Sequence, residues 1–258
     1  MMKIIDTHAH LYDKAFSSEL NKIITQSKAA HITAIYMPNI NLNSIQPMLE
    51  VAQTHSLCKP MLGLHPCYVD NAFKSTLNIM AKWLPQYPFT AIGEIGIDLY
   101  QQKTNLNQQI EALQIQLQWA IDYQLPVVLH CRNSLDQVIA IIKKTKNKYP
   151  TLKGIFHCFT GTLTQAQQAI DMGFGLGIGG IVTFKNNPLT TLLPSIGLDH
   201  MVVETDSPYL APIPYRGKRN EPTYLIHILQ ALATIKNVSV EEVAHTSTLN
   251  AEAILKTS

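Results

Sequence analysis

The chain has 258 residues, of which 46% are hydrophobic, and its formal net charge at pH 7 is +2. This composition is typical of a globular protein and excludes disordered, fibrous and strongly basic classes. Because barrels of about 250 residues commonly fold as one unit, we expect a single domain over residues 1–258.

The first residues and the cysteines predict a cytoplasmic location. Residues 1–6 lead directly into a polar segment, without the apolar run of roughly 7–15 residues that a signal peptide needs. No stretch approaches the ~20 apolar residues of a membrane helix. The cysteines form no C-x-x-C pair, which is typical of a reducing compartment; they are Cys58, Cys67, Cys131 and Cys158. We expect no membrane partner and infer no obligate protein partner.

Short apolar runs alternate along the chain with longer segments of helical period, which predicts parallel strands connected by helices. The eight predicted strands are residues 3–6, 33–37, 60–64, 90–94, 126–130, 153–157, 174–179 and 200–204. The predicted helices include residues 20–29, 108–123, 136–144 and 224–235. A further helix start is predicted at residues 220–222, with Asn220 as the cap and proline in the first turn. The order favours an α/β fold, a single (β/α)8 TIM barrel, over a doubly wound open sheet.

Histidines and carboxylates stand where the predicted strands end. His8 and His10 follow the first strand, and because side chains in a strand alternate between faces, these two point the same way. A barrel presents functional residues at the carboxyl ends of its strands, so we expect these groups to gather at one mouth. The residues expected there are His8, His10, His65, Glu94, His130, His157, Glu204 and Asp206. Imidazoles mixed with carboxylates suit zinc, manganese, magnesium or iron, and so predict a metal centre.

Cationic and aromatic residues accompany the predicted centre. Arg132 shares the strand parity of His130, while Arg216, Lys218 and Arg219 follow the eighth strand. These four side chains are candidates to bind phosphate oxygens, the alternative being ordinary solvated or ion-paired surface positions. No long basic stripe is present, which favours chain ends or short single strands over tight duplex binding. Stacking on Tyr209 or Tyr215 would add to such binding.

A glycine motif at residues 175–180 matches the spacing G-x-G-x-x-G but lies within a predicted strand. A dinucleotide-binding motif needs a strand, a turn and a helix in that order, so this match does not predict a nucleotide cofactor. The sequence also contains no Walker loop and no G-x-S-x-G motif, so it gives no support for nucleotide-driven or serine-nucleophile chemistry.

Taken in order, the motifs resemble those of the TatD-like metal-dependent hydrolases, a family of the amidohydrolase type associated with deoxyribonuclease activity. The resemblance spans residues 4–222 and rests on DTHAHL (6–11), GLHP (63–66), GEIGID (93–98), HCFTG (157–161), ETDSPYL (204–210) and RGKRNEP (216–222). Thr160 stands where many relatives have serine, which keeps the hydroxyl. Glu94 stands where related amidohydrolases often have a modified lysine, which favours the TatD branch over the cyclic-amide hydrolases.

The resemblance implies how the centre is divided. His8, His10 and Asp206 would bind one divalent ion, Glu94 would bridge to a second, and His130 and His157 would complete the second. The ions would be magnesium, manganese or zinc, two in number, or three if His65 helps to hold another.

The expected chemistry is hydrolysis by a metal-activated water. Asp206 would accept the proton of that water, Glu204 would orient a ligand or bind an ion, and His65 would contact the substrate phosphate or the third ion. The predicted function is an exodeoxyribonuclease acting on DNA ends or short single-stranded nucleic acid. Two alternatives stay open: an ester hydrolase such as a D-aminoacyl-tRNA deacylase, and a non-catalytic metal-binding scaffold.

Overall fold

The strands are short, parallel and arranged in the order of the sequence. The structure, a computed structural model, describes residues 3–101 and 103–255. Within these residues the strands are β1 (Ile4–Asp6), β2 (Ile32–Pro38), β3 (Cys58–Met61), β4 (Ile92–Asp98), β5 (Val127–Arg132), β6 (Gly154–Phe156), β7 (Phe174–Ile178) and β8 (Met201–Val203). Strands β1 to β3 form one sheet and β4 to β8 form another, and within each sheet every strand pairs with its neighbour in sequence.

Two isolated bridges join the sheets into a closed barrel. Leu62 pairs with Ile92 between β3 and β4, and Ala9 pairs with Ser207 just beyond β1 and β8. Backbone hydrogen bonds continue both junctions; at the second, the Asp206 N–H donates to the His8 carbonyl over 2.8 Å. The predicted (β/α)8 barrel is therefore confirmed, and the open sheet is excluded because its edge strands would not pair.

Helices cover the outside of the barrel. They are α1 (Leu20–Ala29), α2 (Ile45–Thr54), α3 (Phe73–Met80), α4 (Leu106–Asp122), α5 (Leu135–Lys148), α6 (Leu163–Asp171), α7 (Leu189–Leu192), α8 (Leu225–Lys236) and α9 (Val240–Leu255). Helix α4 buries Leu113 and Leu117 on the apolar face that its period predicts. Helix α5 runs four residues past its predicted end, where Lys146 and Lys148 complement the carboxyl-terminal dipole. Across the described ranges, every helix is too short or too polar to span a bilayer.

The amino-terminal mouth of the barrel is filled by the end of α9. Side chains from inside the barrel and from α9 form a buried cluster of their own: Ile5, Ala34, Tyr36, Met61, Ala91, Val128, Ile155, Val202, Ala251 and Leu255. Ile254 packs against this cluster, and a Cβ at Gly175 would lie only 2.7 Å from its Cδ1. Gly175 therefore leaves room for Ile254, and the opposite mouth of the barrel is the open one.

The prediction that Asn220 caps a helix is wrong. The Nδ2 group of Asn220 donates to the carbonyls of Thr205 (2.6 Å) and Tyr209 (2.7 Å), and its Oδ1 accepts the Glu221 N–H. A short 3-10 turn at Pro222–Tyr224 then leads into α8, and it has no side-chain cap. Asn220 is fully buried because it satisfies the backbone of the loop after β8.

Candidate metal centre

The inward face of the strands carries the polar residues to the open mouth. Val128, Ile155 and Val202 belong to the buried cluster inside the barrel. Residues two positions later along a strand lie on the same face, so His130 and Glu204 continue that face toward the mouth. His157 follows Ile155 by the same spacing. Strand parity, as predicted, gathers these side chains.

Glu94 reaches the centre through an irregularity in β4. The pairing register with β5 shifts between Ile92 and Ile95, and a bulge of this kind changes the direction in which a side chain points. The strand then continues to Asp98, four residues beyond the predicted end. At Gly93 a Cβ would lie 2.8 Å from the Cβ of Val128, so only glycine permits this close approach.

The two carboxylate oxygens of Glu94 face different imidazoles. Oε2 lies 3.3 Å from Nε2 of His8 and 4.0 Å from Nε2 of His10. Oε1 lies 2.8 Å from Nδ1 of His130, and it also faces Nε2 of His65 (3.5 Å) and of His157 (3.8 Å). The side chain is only 4% exposed. One buried carboxylate thus stands between two groups of nitrogen atoms, which is the arrangement that a bridging ligand requires.

The outer nitrogen of His10 has an acceptor that sets the tautomer. Its Nδ1 lies 3.0 Å from the Tyr12 hydroxyl, and that hydroxyl donates to the Pro38 carbonyl over 2.6 Å. The hydroxyl proton is therefore used, so the His10 Nδ1–H must donate to the Tyr12 oxygen. This leaves the lone pair of Nε2 directed at the carboxylates, the orientation that a metal ligand needs.

Carboxylates hold the outer nitrogens of two further histidines. Oδ2 of Asp98 lies 3.0 Å from Nε2 of His130, and Oε1 of Glu204 lies 2.9 Å from Nδ1 of His157. Carboxylate partners of this kind fix the ring and increase its basicity toward a metal. The inward atoms are then Nδ1 of His130 and Nε2 of His157.

His65 carries its ring proton on the other side, on the nitrogen that faces the centre. Its Nδ1 accepts the Cys67 N–H over 3.1 Å, so a neutral ring carries its proton on Nε2. That Nε2 lies 3.2 Å from Nδ1 of His130 and 3.5 Å from Glu94. His65 consequently presents an N–H donor, where the other histidines present lone pairs.

His8 is the clearest indication that a cation belongs at this centre. The residue is fully buried, its ring stacks on that of His157 at 3.5 Å, and neither nitrogen has a hydrogen-bond partner within residues 3–101 and 103–255. An unpaired buried nitrogen costs free energy that a bound cation would remove. Three sets of donor atoms lie close enough to hold an ion: His8, His157 and Glu204; His8, His10 and Glu94; and His65, Glu94 and His130. The residues present therefore fit a metal centre.

The charge balance also favours a cation. Burial lowers the pKa of His8 and of His65. Burial acts the same way on His157, but the Glu204 carboxylate outweighs it and raises the pKa of His157 to about 10, so a cation that binds Nε2 must displace its proton. Burial opposes ionisation of Glu94, yet His65 and His8 hold its pKa well below the usual range. The carboxylates thus stay ionised and attract positive charge.

Asp206 and Glu204 differ in what they face. Oδ1 of Asp206 lies 3.3 Å from Nε2 of His10 and 3.7 Å from Nε2 of His8, and the side chain is 14% exposed. Glu204 is 1% exposed and accepts the Cys158 N–H over 2.6 Å while it holds His157. Asp206 therefore borders the cavity, whereas Glu204 lies behind an imidazole.

A cavity of about 940 Å³ opens above these residues, and its walls include Arg132, Arg216 and Lys218. The Arg132 guanidinium lies 4.0 Å above the ring of Tyr100, and that of Arg216 lies 4.5 Å above Phe184. Three of the four cations predicted to bind substrate are thus brought to the cavity.

The structure places Arg219 and Tyr215 elsewhere. The Arg219 guanidinium pairs with Glu19 (2.7 Å) and Glu221 (2.9 Å), which makes it part of the scaffold. Tyr215 stacks on Tyr224 with ring centroids 4.0 Å apart, whereas Tyr209 borders the cavity. These positions do not support substrate binding by Arg219 or Tyr215, and two of the partners, Glu19 and Tyr224, lie in segments that the motif does not contain.

Sequence reasoning missed the residues that orient the histidines. Asp98 belongs to the GEIGID motif but had no role assigned, and Tyr12 was not considered. A general signal was available, since a metal-binding histidine usually donates its second N–H to an acceptor. The sequence could not identify which acceptor, because β4 was expected to end at Glu94.

Comparisons with known proteins agree with this geometry. The family model described as TatD related DNase matches residues 5–256. The uncharacterized metal-dependent hydrolase YabD of Bacillus subtilis is 31% identical over 254 residues, 98% of this chain and 99% of that protein. The 3'-5' ssDNA/RNA exonuclease TatD of Pantoea ananatis is 31% identical over 248 residues, 93% and 95% of the two chains. The crystal structure of YjjV, a TatD homologue from Escherichia coli, has a TM-score of 0.92 at 25% identity and covers 100% and 99% of the two chains.

Proposed function

This chain belongs to the TatD related DNase family, and from that membership we propose that it removes nucleotides hydrolytically from the ends of single-stranded DNA. It is a metal-dependent hydrolase. The observation that carries the proposal is Glu94, whose two oxygens face separate groups of histidine nitrogens beneath a cavity lined by cations.

The proposed ligands divide around Glu94. His8, His10 and Asp206 would hold one divalent ion, His130 and His157 would hold the second, and Glu94 would contact both. Magnesium, manganese and zinc all suit this donor set. Ions bound there would supply an activated water and would neutralise charge on a phosphate.

Asp206 is the proposed acceptor of the proton that the attacking water loses. Its carboxylate borders the cavity, and burial does not keep it protonated, because the contact with His10 and the charge of His157 outweigh burial and hold its pKa below the usual range. Glu204 acts through His157 as a positioning residue. Its carboxylate lies 2.9 Å from Nδ1 and favours a proton on that nitrogen, which leaves Nε2 to face the centre.

His65 is proposed to donate a hydrogen bond to a phosphate oxygen. The Cys67 N–H occupies the Nδ1 lone pair, so the proton of the neutral ring lies on Nε2 and faces the cavity. An N–H donor suits an anionic oxygen and does not suit a cation. This supports two ions at the centre in preference to three.

Arg132, Arg216 and Lys218 are the proposed phosphate-binding residues. The two arginines rest on aromatic rings, which restrains each planar group without using its N–H donors. Cations on the cavity wall place positive charge where the phosphates of an entering strand would lie. Arg219 is left out of this set because its guanidinium is paired with carboxylates.

The direction of digestion is proposed to be 3' to 5', by analogy with the relatives named as 3'-5' ssDNA/RNA exonucleases. Residues 1–258 are proposed to act as one domain, and the cytoplasm is the proposed location. The four cysteines are free thiols, which accords with a reducing compartment.

The test is release of nucleotides from single-stranded DNA labelled at either end, with magnesium or manganese added and a matched chelator control. Stepwise, metal-dependent shortening from the 3' end is the expected result. No cleavage with any divalent metal would contradict DNA as the substrate. Release of D-amino acid from charged tRNA would then favour the ester hydrolase, and metal binding without either reaction would favour the scaffold.

A further inference from the structure

Two half-exposed tyrosines stand on the cavity wall beside the metal centre. Tyr68 is 47% exposed and Tyr209 is 51% exposed, and both line the cavity. Tyr68 ends the short 3-10 turn that follows His65, and Tyr209 belongs to the loop after β8. They come from distant parts of the chain, so the folded barrel alone brings them to one opening.

Each ring stands perpendicular to an imidazole on a different side of Glu94. The Tyr209 ring lies 5.7 Å from that of His10 at an interplanar angle of 70°, and the Tyr68 ring lies 6.3 Å from that of His65 at 77°. His10 faces Oε2 of Glu94 and His65 faces Oε1. The two phenol rings therefore border both halves of the centre.

Two other tyrosines nearby already have a stacking partner. Tyr100 carries the Arg132 guanidinium on its ring, and Tyr215 lies parallel to Tyr224 at an angle of 5°. Tyr68 and Tyr209 make only perpendicular ring contacts among the described residues. About half of each side chain is consequently open to whatever enters the cavity.

Cations flank these open rings. The chain contains three arginines, and two of them, Arg132 and Arg216, line the same cavity. Aromatic faces interleaved with positive charge are the combination that binds single-stranded nucleic acid, because bases stack on the rings while cations follow the phosphates. A base inside a duplex is paired and stacked, so its faces are not free to make such contacts.

Resting on the proposed function, we propose that Tyr68 and Tyr209 form a binding site for an unpaired nucleobase at the strand end, next to the scissile phosphate. The base stacks on these rings while Arg132 and Arg216 contact phosphates. This site selects ends that are already single-stranded, because a base must leave its pair to enter.

The first test compares two strands, one with an ordinary 3'-terminal nucleotide and one with a 3'-terminal abasic residue. We expect the wild-type enzyme to show a KM about tenfold lower for the ordinary strand, given the size of base stacking on aromatic rings. The Tyr68→Leu/Tyr209→Leu double variant should raise KM for the ordinary strand by about the same factor and leave the abasic strand unaffected. The Tyr68→Phe/Tyr209→Phe double variant should keep the wild-type preference for the ordinary strand, because phenylalanine retains the aromatic ring.

Tyr123→Leu is the matched control, since Tyr123 is 44% exposed at the end of α4 and outside the cavity lining. It should retain the preference for the ordinary strand. If the double leucine variant raised KM equally for both strands, the proposed binding site would be overturned. That result would leave the proposed hydrolysis standing, because the wild-type enzyme would still shorten DNA.

The second test needs no turnover. A DNA strand with 2-aminopurine at its 3' end is mixed with the protein in chelator, and stacking is read as quenching of the base's fluorescence. We expect quenching with the wild-type protein, little with the double leucine variant, and less when 2-aminopurine lies several nucleotides from the end. Quenching without hydrolysis on metal addition would support the base site and contradict the proposed reaction; equal quenching by both proteins would overturn the site.

Discussion

Oε1 of Glu204 lies 2.9 Å from Nδ1 of His157, on the side of the ring that faces away from the cavity. The same oxygen accepts the Cys158 N–H, so the carboxylate is held on both sides. Glu204→Gln should therefore weaken metal binding roughly 10- to 100-fold, the usual effect of losing such a partner. Metal titration by calorimetry measures this, and circular dichroism checks the fold. Unchanged affinity would mean that Glu204 does not orient His157.

Gly177→Ala should also weaken metal binding, although it replaces no charged residue. A Cβ at Gly177 would overlap the Glu204 carboxylate, which must then move away from His157. Gly179→Ala is the control, because a Cβ there would lie at an ordinary distance of 3.6 Å from its nearest neighbour, the Glu204 carbonyl. Equal metal affinities for the two variants would contradict the steric argument.

His130→Ala and Asp206→Asn should each abolish turnover, by at least about 100-fold, and leave the barrel folded. Both residues lie at the open mouth, and residues there contribute little to the packed interior. Hydrolysis of end-labelled DNA and the far-ultraviolet circular dichroism of each variant are the two measurements. Unfolding of both variants would show instead that these residues stabilise the structure.

Arg216→Ala and Arg219→Ala should differ although the two residues lie in one loop. Arg216→Ala should raise KM for DNA about tenfold or more, since a hydrogen bond to a charged group contributes about 1.5–3 kcal/mol. Arg219→Ala should leave KM near the wild-type value and lower the thermal midpoint by about 1–4 °C. Its guanidinium lies 5.1 Å from the ring centre of Phe16, a contact worth about 0.5–1 kcal/mol. If Arg219→Ala raised KM and Arg216→Ala did not, Arg219 would belong to the substrate-binding residues instead.

The ion pair between Arg219 and Glu19 should give a stability difference that depends on pH. Arg219 lowers the pKa of Glu19 in the folded state. A lowered carboxyl pKa stabilises the fold above the unfolded-state value, near 4.3, and this contribution is lost as pH falls through the folded-state pKa. The thermal midpoint of wild type should thus exceed that of Glu19→Gln by more at pH 7 than at pH 3. Because Glu19 is exposed, added salt should reduce the difference.

The sequence predicted the barrel and the residues at its mouth because both depend on local patterns. Val128 and His130 are two residues apart, as are Ile155 and His157, so the sequence alone shows that each pair lies on one face of its strand. The direction of Glu94 depends on a register shift against β5, which no period in β4 reveals. Arg216 and Arg219 have the same chemistry, and only folding brings Glu19, 200 residues away, to one of them.

The bridge between Ala9 and Ser207 has a consequence for how the protein is made. His8 and His10 leave the ribosome about 200 residues before Asp206 and the strand that leads to it. Contacts of such long sequence separation form late in folding. A nascent or interrupted chain that ends before Asp206 therefore has no complete hydrolytic centre.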